Sequence, residues 1–246
     1  MNHVWNYALL DLNTFYEKIK FNFFEGNRWK YLLKGLQNTL LIAVFAVMIG
    51  VALGFLIAVI RSFHDKSGSL KILNLICKIY LTIIRGTPVM LQLLIIYYVI
   101  FSSINISKVV VAILAFGLNS AAYVAEIVRS GIMSIDNGQF EAGRSLGFNF
   151  KQTMWLIIMP QAFKNALPAL ANEFITLLKE TSISGYIGLM DLTHGGNIIR
   201  SITYEAFLPL IAVAFIYLFL VMILSSLVNK LERKLRKNER NWKNVD

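Results

Sequence analysis

The chain has 246 residues, of which 57% are hydrophobic and only 15% charged. Soluble proteins average about 45–50% apolar and about 25% charged residues, so this composition excludes an ordinary soluble enzyme and favours a membrane protein. The net charge of +10 would also suit a nucleic-acid-binding protein, but the apolar content makes the lipid bilayer the better interpretation. A single cysteine, Cys77, excludes an intrachain disulfide framework.

Four long uncharged stretches predict membrane-spanning helices. They cover residues 35–60, 86–107, 109–125 and 206–229, with lengths of 26, 22, 17 and 24 residues. About 20 helical residues cross the apolar core of a bilayer, and a charged side chain at its centre costs at least about 2.5 kcal/mol. Two further segments, 70–84 and 163–183, have a helical pattern but carry charges. They can span only if their polar face lines a cavity or a partner helix.

The distribution of basic residues predicts the orientation. The tail 230–246 has seven basic residues against three acidic ones, and the connector 61–71 has three against one, so both are expected in the cytoplasm. The nearly neutral segment 186–204 suits the outer side. These constraints predict an all-α membrane protein with about five transmembrane helices and its N-terminus outside. The predicted spans are 36–60, 72–103 (one long or bent helix), 109–132, 160–184 and 207–229.

These boundaries divide the chain into three regions. Residues 1–34 are expected to form an interfacial lead-in, because they mix aromatic and charged residues and lack the continuous apolar core of a signal peptide. Residues 35–229 form the transmembrane domain, and residues 230–246 form a basic cytoplasmic tail. The tail is expected to fix the topology and to contact anionic membrane lipid, not nucleic acid.

A spaced motif lies in the loop between the third and fourth predicted spans, residues 134–151. Asp136-Asn137-Gly138 is a turn signal, and we expect a short surface helix after it that ends at Gly147. The loop then reads Glu141-Ala142-Gly143, three residues, Gly147, nine residues, Ile157, one residue and Met159-Pro160. This resembles the EAA signature of ABC-importer permeases, which is Glu-Ala-Ala, three residues, Gly, nine residues, Ile, one residue and Leu-Pro. Two residues depart from the pattern, Gly143 in place of the second Ala and Met159 in place of Leu, and Gly143 should cost the helix about 1 kcal/mol.

Further blocks are similar to the polar amino-acid uptake subfamily of these permeases, namely Arg85–Gln92, Ala122–Gly131 and Asn172–Ser182. The resemblance covers about residues 30–235 and implies a type I ABC-importer permease fold in a bacterial cell membrane. It implies four partners: a separate ABC ATPase dimer, a second permease chain (identical or not), an extracytoplasmic amino-acid-binding protein and an amino-acid substrate. It also implies a rigid coupling helix, with a glycine where backbones approach closely. The residues it assigns to ATPase coupling are Glu141, Ala142, Gly143, Leu146, Gly147 and Pro160.

Catalytic and metal-binding chemistry is not expected in this chain. It lacks the Gly-x-x-x-x-Gly-Lys-Ser/Thr phosphate loop, so ATP and Mg²⁺ are expected on the partner ATPase, with no cofactor here. The three histidines, His3, His64 and His194, show no metal-ligand spacing. His194-Gly195-Gly196 is faintly similar to the oxyanion loops of esterases, but no Gly-x-Ser-x-Gly accompanies it. We therefore interpret it as part of a flexible outer loop.

Polar residues inside the predicted spans are candidates for the solute pathway, because such residues are costly in a bilayer and are usually functional. The candidates are Gln92, Asn119, Ser120, Tyr123, Glu126, Asn172 and Glu173. Structural roles are also open: Glu126 and Arg129 could pair on one helix face, and Asn119 could bond across helices. Pro160 and Pro168 could break the fourth span.

Two functions remain open from the sequence. The first is the permease subunit of an ATP-driven importer that moves a polar or charged L-amino acid by alternating access. The second is a self-sufficient secondary transporter or channel, which would need paired repeats or ion-coupling carboxylates. The sequence contains no second half related to the first. A basic amino acid, glutamine or cystine would all suit the importer.

Overall fold

The structure is a computed structural model that describes residues 14–243 and is helical over most of that range. The first 13 residues of the predicted lead-in, including His3, and the last three residues of the tail lie outside the described residues. The main helices, in chain order, are α1 (Trp29–Ser67), α2 (Lys71–Gly86), α3 (Val89–Ile95), α4 (Lys108–Met133), α5 (Gly138–Ser145), α6 (Phe150–Thr153), α7 (Met159–Glu180), α8 (Leu192–Thr203) and α9 (Phe207–Lys243). Single π-helical turns extend α3 through Ile96–Ile100 and join α6 to α7 through Met154–Ile158.

Three of these helices are long and apolar enough to cross a membrane by themselves, namely Trp29–Asp65, Lys108–Met133 and Phe207–Leu235. The predicted second span is a broken one, since the chain bends by 108° between α2 and the helix Val89–Ile100, and the pair adds a fourth span if the two cross together. The all-α membrane architecture is confirmed. The number five stays a prediction, because α7 carries charged residues along its length.

The most extensive helix–helix packing in the described chain lies between α1 and α4. Gly50 and Gly54 lie one turn apart on α1, and a Cβ at Gly54 would be only 2.7 Å from the carbonyl oxygen of Ala121 on α4. At Gly50 it would lie 2.8 Å from Ser120 Oγ. Small residues at this spacing allow two backbones to approach closely inside a membrane. Helix α4 is thereby held at the centre of the fold, where it carries Glu126.

Two predictions about irregular backbone are wrong. Helix α7 runs without interruption through Pro168, whereas the irregular turn Met154–Ile158 lies directly ahead of Pro160, where a proline disturbs a helix. The sharp break lies instead at Thr87-Pro88, between α2 and α3. The segment around His194 is not a flexible loop but the first turn of α8. Its glycines serve packing, because a Cβ at Gly195 would meet the carbonyl oxygen of Tyr31 on α1 at 2.6 Å.

A buried carboxylate begins α8, on the predicted outer side and outside the predicted spans. Asp191 is fully buried and accepts hydrogen bonds from the backbone N–H groups of Thr193 and His194, at 3.0 and 3.3 Å. This is the usual arrangement of an acidic residue that caps a helix N-terminus. Burial raises the pKa of Asp191 to about 6, although these hydrogen bonds oppose the change. On the α1 side, Thr39 Oγ1 accepts from the N–H of Leu192 at 3.1 Å.

Candidate functional site

The break between α2 and α3 is built around Pro88 and closed by a buried glutamine. Gln92 Nε2 donates to the carbonyl oxygens of Ile84 and Thr87, at 2.7 and 3.0 Å, and to Thr87 Oγ1 at 2.8 Å. Its Oε1 accepts from Asn119 Nδ2 on α4 at 2.9 Å. Gln92 and Asn119 are 8% and 2% exposed, so their amides are occupied within the protein.

A cavity of about 600 Å³ opens beside this break, between α2, α4 and α7. Arg85 from the last turn of α2 forms one wall, Tyr123 and Glu126 from α4 form the second, and Glu173 from α7 forms the third. The remaining lining residues are Ile127, Ser130, Gly131, Ser134, Asn165, Ala166 and Ala169. The cavity therefore presents one cationic group, two carboxyl groups and several uncharged polar groups.

Glu126 is shared between two arginines. Its Oε2 lies 3.4 Å from Arg85 Nη1 and 3.8 Å from Arg61 Nη1 on α1. The Arg85 guanidinium also lies over the Tyr123 ring, 5.9 Å from its centroid. The expected pairing of Glu126 with Arg129 is not what the structure shows, since Arg129 Nη1 instead bonds Asp65 Oδ2 at 3.4 Å. The two residues are three apart on α4, but α1 and α2 supply nearer partners of opposite charge.

A second, basic pocket of about 530 Å³ adjoins the first. Its charged lining consists of one carboxylate, Glu126, and four cations, namely Arg61, Lys78, Arg85 and Arg129. Arg85 and Glu126 line both pockets, so their ion pair forms part of the wall between them. The two pockets are thus opposite in formal charge.

The structure separates the predicted pathway residues into two groups. Tyr123, Glu126 and Glu173 line the larger cavity. The others do not line it: Gln92 and Asn119 close the helix break, Ser120 is fully buried and donates to Glu173 Oε1 at 3.0 Å, and Asn172 donates to the carbonyl of Pro168 on its own helix at 3.1 Å. The prediction that Asn119 could bond across helices is confirmed.

Several cavity residues were missed as pathway candidates, namely Arg85, Ser130, Ser134 and Asn165. Arg85 carried a usable signal, because it is a charge within a predicted span and such charges usually face a polar pathway. Asn165 Nδ2 donates to Ser134 Oγ at 3.0 Å, which joins α7 to the end of α4. This contact links residues 31 positions apart, so no local pattern predicts it.

The short helix that the motif predicts is present as α5, and contacts at both of its sides hold it against the membrane helices. Asp136 Oδ1 accepts from the N–H of Gly138 at 2.6 Å and so closes the turn before α5. The Phe140 ring stacks on Phe150 at 6.2 Å, and Phe150 meets Phe63 of α1 edge-on at 5.2 Å. Five residues assigned to coupling are exposed, namely Glu141, Ala142, Leu146, Gly147 and Pro160, whereas Gly143 is buried.

The two glycines of the motif have different structural reasons. Gly147 has a φ of +82°, in the left-handed region that favours glycine, and a Cβ there would meet nothing within 4 Å. Within the chain, the backbone conformation explains Gly147, and close approach of an ATPase backbone to this loop stays a prediction. Close approach occurs at Gly143, where a Cβ would lie 2.6 Å from Thr153 Cγ2. This contact explains why the position holds glycine in place of the alanine of the family pattern.

A helical membrane fold with a polar cavity at a broken helix and an exposed coupling-type helix defines a permease subunit. Residues 50–237 match the family described as "Binding-protein-dependent transport system inner membrane component", and the chain belongs to this family. The family places the chain in a bacterial inner membrane, as the membrane subunit of a transporter.

Individual relatives agree with this assignment. The chain is 39% identical over 211 residues to the "Arginine transport system permease protein ArtQ" of Bacillus subtilis, and these residues make up 85% of this chain and 94% of that protein. It is 32% identical to the "L-cystine transport system permease protein TcyB" of Bacillus subtilis, over 94% of this chain and 96% of that protein. A solved structure described as an amino acid ABC transporter with histidines matches with a TM-score of 0.76 and 42% identity, over 83% of this chain and 94% of that one.

Proposed function

We propose that the chain is the membrane subunit of an ATP-driven importer for a polar or charged L-amino acid, and that the cavity between α2, α4 and α7 binds the amino acid. The observation that carries the proposal is the presence of Arg85, Glu126 and Glu173 in one cavity of about 600 Å³. An amino acid carries both signs of charge and needs partners of both. Pockets for small ligands measure about 300–1,000 Å³, so the volume is suitable.

The cavity groups have distinct roles in this proposal. The Arg85 guanidinium binds the α-carboxylate, because its planar donors match that group. Glu126 and Glu173 bind the α-ammonium group or a cationic side chain. Since two carboxyl groups face one guanidinium, the cavity favours a solute with at least one cationic group over an acidic amino acid. Ser130 and Asn165 offer uncharged hydrogen-bonding groups to a side-chain amide.

Movement of the solute requires partners that supply energy. We place the exposed face of α5, with Glu141 and Leu146, in a groove of a separate ATPase that binds ATP and Mg²⁺. A second permease chain completes the pathway, and an extracytoplasmic binding protein delivers the amino acid. Alternating access then follows when paired ATPases move the two coupling helices together. The relatives' names include arginine and cystine, so the individual amino acid is a question for experiment.

The test against a self-sufficient secondary transporter is reconstitution. The purified chain in liposomes with a proton or sodium gradient should move no amino acid. The complex with its ATPase and binding protein should accumulate the amino acid, provided that ATP is supplied on the side of the membrane where the ATPase lies. Gradient-driven uptake by the chain without its partners would overturn the importer proposal in favour of the secondary transporter.

The assignment of the cavity has its own test. Glu126→Gln should raise the KM for ATP-driven uptake of a cationic amino acid by about ten-fold, the effect of losing one favourable charge interaction. Glu25→Gln is the matched control, because Glu25 is exposed and lies before α1, far along the chain from the cavity. Equal KM values for the two variants and the unaltered chain would remove Glu126 from the pathway.

A further inference from the structure

The break at Pro88 leaves a hydrogen-bond acceptor without its helical donor. In a continuous helix, the N–H of residue 88 would bond the carbonyl of Ile84, four residues earlier. Proline has no N–H group, so it cannot make this bond. Gln92 Nε2 donates to the Ile84 carbonyl at 2.7 Å and thereby takes the place of the missing backbone donor. A side chain four residues after the proline repairs what the proline removes.

The same amide ties the break to α4. Gln92 also donates to Thr87, on both its carbonyl and its hydroxyl oxygen, and accepts from Asn119. The donors and the acceptor of this buried amide are all in use. A buried amide that lost such partners would be strongly disfavoured, so the amide defines one angle between α2 and α3 and one position of the break against α4.

Arg85 lies next to Ile84 and is carried by this arrangement. Asn119 precedes Glu126 by seven residues on α4, which places the two residues on the same helix face about 10.5 Å apart. The Gln92–Asn119 bond and the Arg85–Glu126 pair are therefore two parallel connections between the break and α4. Tyr80 adds a separate connection, because its hydroxyl donates to the carbonyl of Leu118. Helix α2 thus stays attached to α4 without Gln92, but the position of its last turn does not stay defined.

We propose that Gln92 is a positioning residue for transport: by replacing the N–H that Pro88 lacks, it holds the broken helix at the angle that places the Arg85 guanidinium in the cavity wall beside Glu126. Asn119 is its anchor. This inference rests on the proposed function, because the cavity that Arg85 lines is the one assigned to the amino acid. Gln92 and Asn119 themselves touch no solute.

The first experiment measures the bend without transport. In a Cys77→Ala background, spin labels at Lys71→Cys and Val99→Cys report the distance between the far ends of the two helices. Helices of 16 and 12 residues with a bend of 108° between them place these ends about 25 Å apart, whereas a straight helix would place them about 42 Å apart. The unaltered break should give the short distance. Gln92→Leu should broaden the distribution, and Gln92→Leu with Pro88→Ala should shift it towards the long distance.

The second experiment separates positioning from stability. Pro88→Ala restores the backbone donor for Ile84, so in the Gln92→Leu background it should recover the melting temperature of the reconstituted complex. Uptake should not recover, because the straightened helix carries Arg85 away from Glu126. Asn119→Leu should raise the KM for uptake by about ten-fold or more with a smaller change in kcat. Gln37→Leu, at an exposed position of α1, is the matched control and should change neither.

The outcomes are distinct. Recovery of uptake together with melting temperature in the Pro88→Ala, Gln92→Leu double variant would show a merely structural role and overturn the inference. A narrow, short label distance in Gln92→Leu would also overturn it. If Arg85→Gln leaves the KM unchanged while the label distances behave as expected, the proposed function fails but the role of Gln92 in the break stands.

Discussion

We expect Gly143→Ala to displace α5 from α6, although alanine is the better helix former. Alanine inside a helix is worth about 1 kcal/mol more than glycine. The new Cβ would lie 2.6 Å from Thr153 Cγ2 and 2.8 Å from Thr153 Oγ1, closer than real Cβ contacts. Overpacking of this kind costs about 1–3 kcal/mol. The clash therefore outweighs or cancels the gain in helix propensity, and the net loss is up to about 2 kcal/mol.

Thr153→Ala should rescue this variant, because it removes both clashing atoms. The remaining contact, with Thr153 Cβ at 3.2 Å, needs only a small shift. On its own, Thr153→Ala loses the hydrogen bond from Oγ1 to the carbonyl of Asn149, at 3.1 Å, and costs about 1 kcal/mol. The double-mutant cycle then isolates the clash as a favourable coupling of about 1–3 kcal/mol.

The assay is hydrogen exchange of the backbone amides in 138–147 in the reconstituted complex, with ATP-driven uptake measured on the same samples. Gly143→Ala should exchange about ten-fold faster per 1.4 kcal/mol lost and should lose uptake, and the double variant should resemble the unaltered protein. Thr153→Ser keeps Oγ1 and should rescue only in part. Slower exchange with full uptake in Gly143→Ala would refute the close-approach argument, because helix propensity would then dominate.

Three further predictions concern single positions. Gly147→Ala should reduce uptake while membrane insertion stays intact, because a φ of +82° strains any side chain although its Cβ would meet nothing within 4 Å in this chain; full uptake in membrane-fraction assays would contradict this. Because the pKa of Asp191 rises from 3.8 to about 6 on folding, the folded protein binds more protons there than the unfolded chain in that pH range, and this group's contribution to stability falls as pH rises through it. The melting temperature of Asp191→Asn should therefore fall less over that range, and identical pH profiles of the two proteins would exclude the effect. Asp65→Asn should shift the melting temperature little, since its pair with Arg129 is half-exposed and such pairs contribute about 0–1 kcal/mol; a large shift would show stronger coupling.

The general architecture could be predicted because the bilayer imposes simple rules on length and charge. For this reason the uncharged stretch 35–60 falls within α1, and all but the first residue of the stretch 206–229 falls within α9. The bend in 72–103 could be placed only loosely. Pro88 removes one donor, but the resulting angle depends on Gln92 meeting Asn119, which lies 27 residues away on another helix. A local pattern locates a break but does not determine its angle.

The site follows the same division between local and distant causes. The turn before α5 and its end at Gly147 are local, and both could be predicted from residue types. The partners of Glu126 could not, since sequence spacing favours Arg129, three residues away on the same helix. Such a pair on one helix face gains only a few tenths of a kcal/mol, so any better-placed guanidinium displaces it. Arg61 and Arg85 arrive from two other helices, and the packing of α1 and α2 against α4 decides the pairing.

The sharing of Glu126 has a consequence for how the solute is recognised. If a carboxylate of the protein had only one cationic partner, it would be left unpaired whenever the carboxylate of the solute bound that cation instead. Glu126 has Arg61 within 3.8 Å in addition to Arg85 at 3.4 Å. Arg85 can therefore turn towards the solute while Glu126 keeps a partner, which lowers the cost of opening the pair. Arg61→Gln should accordingly weaken uptake at low amino-acid concentration without any contact between Arg61 and the solute, and an unchanged KM would refute this reasoning.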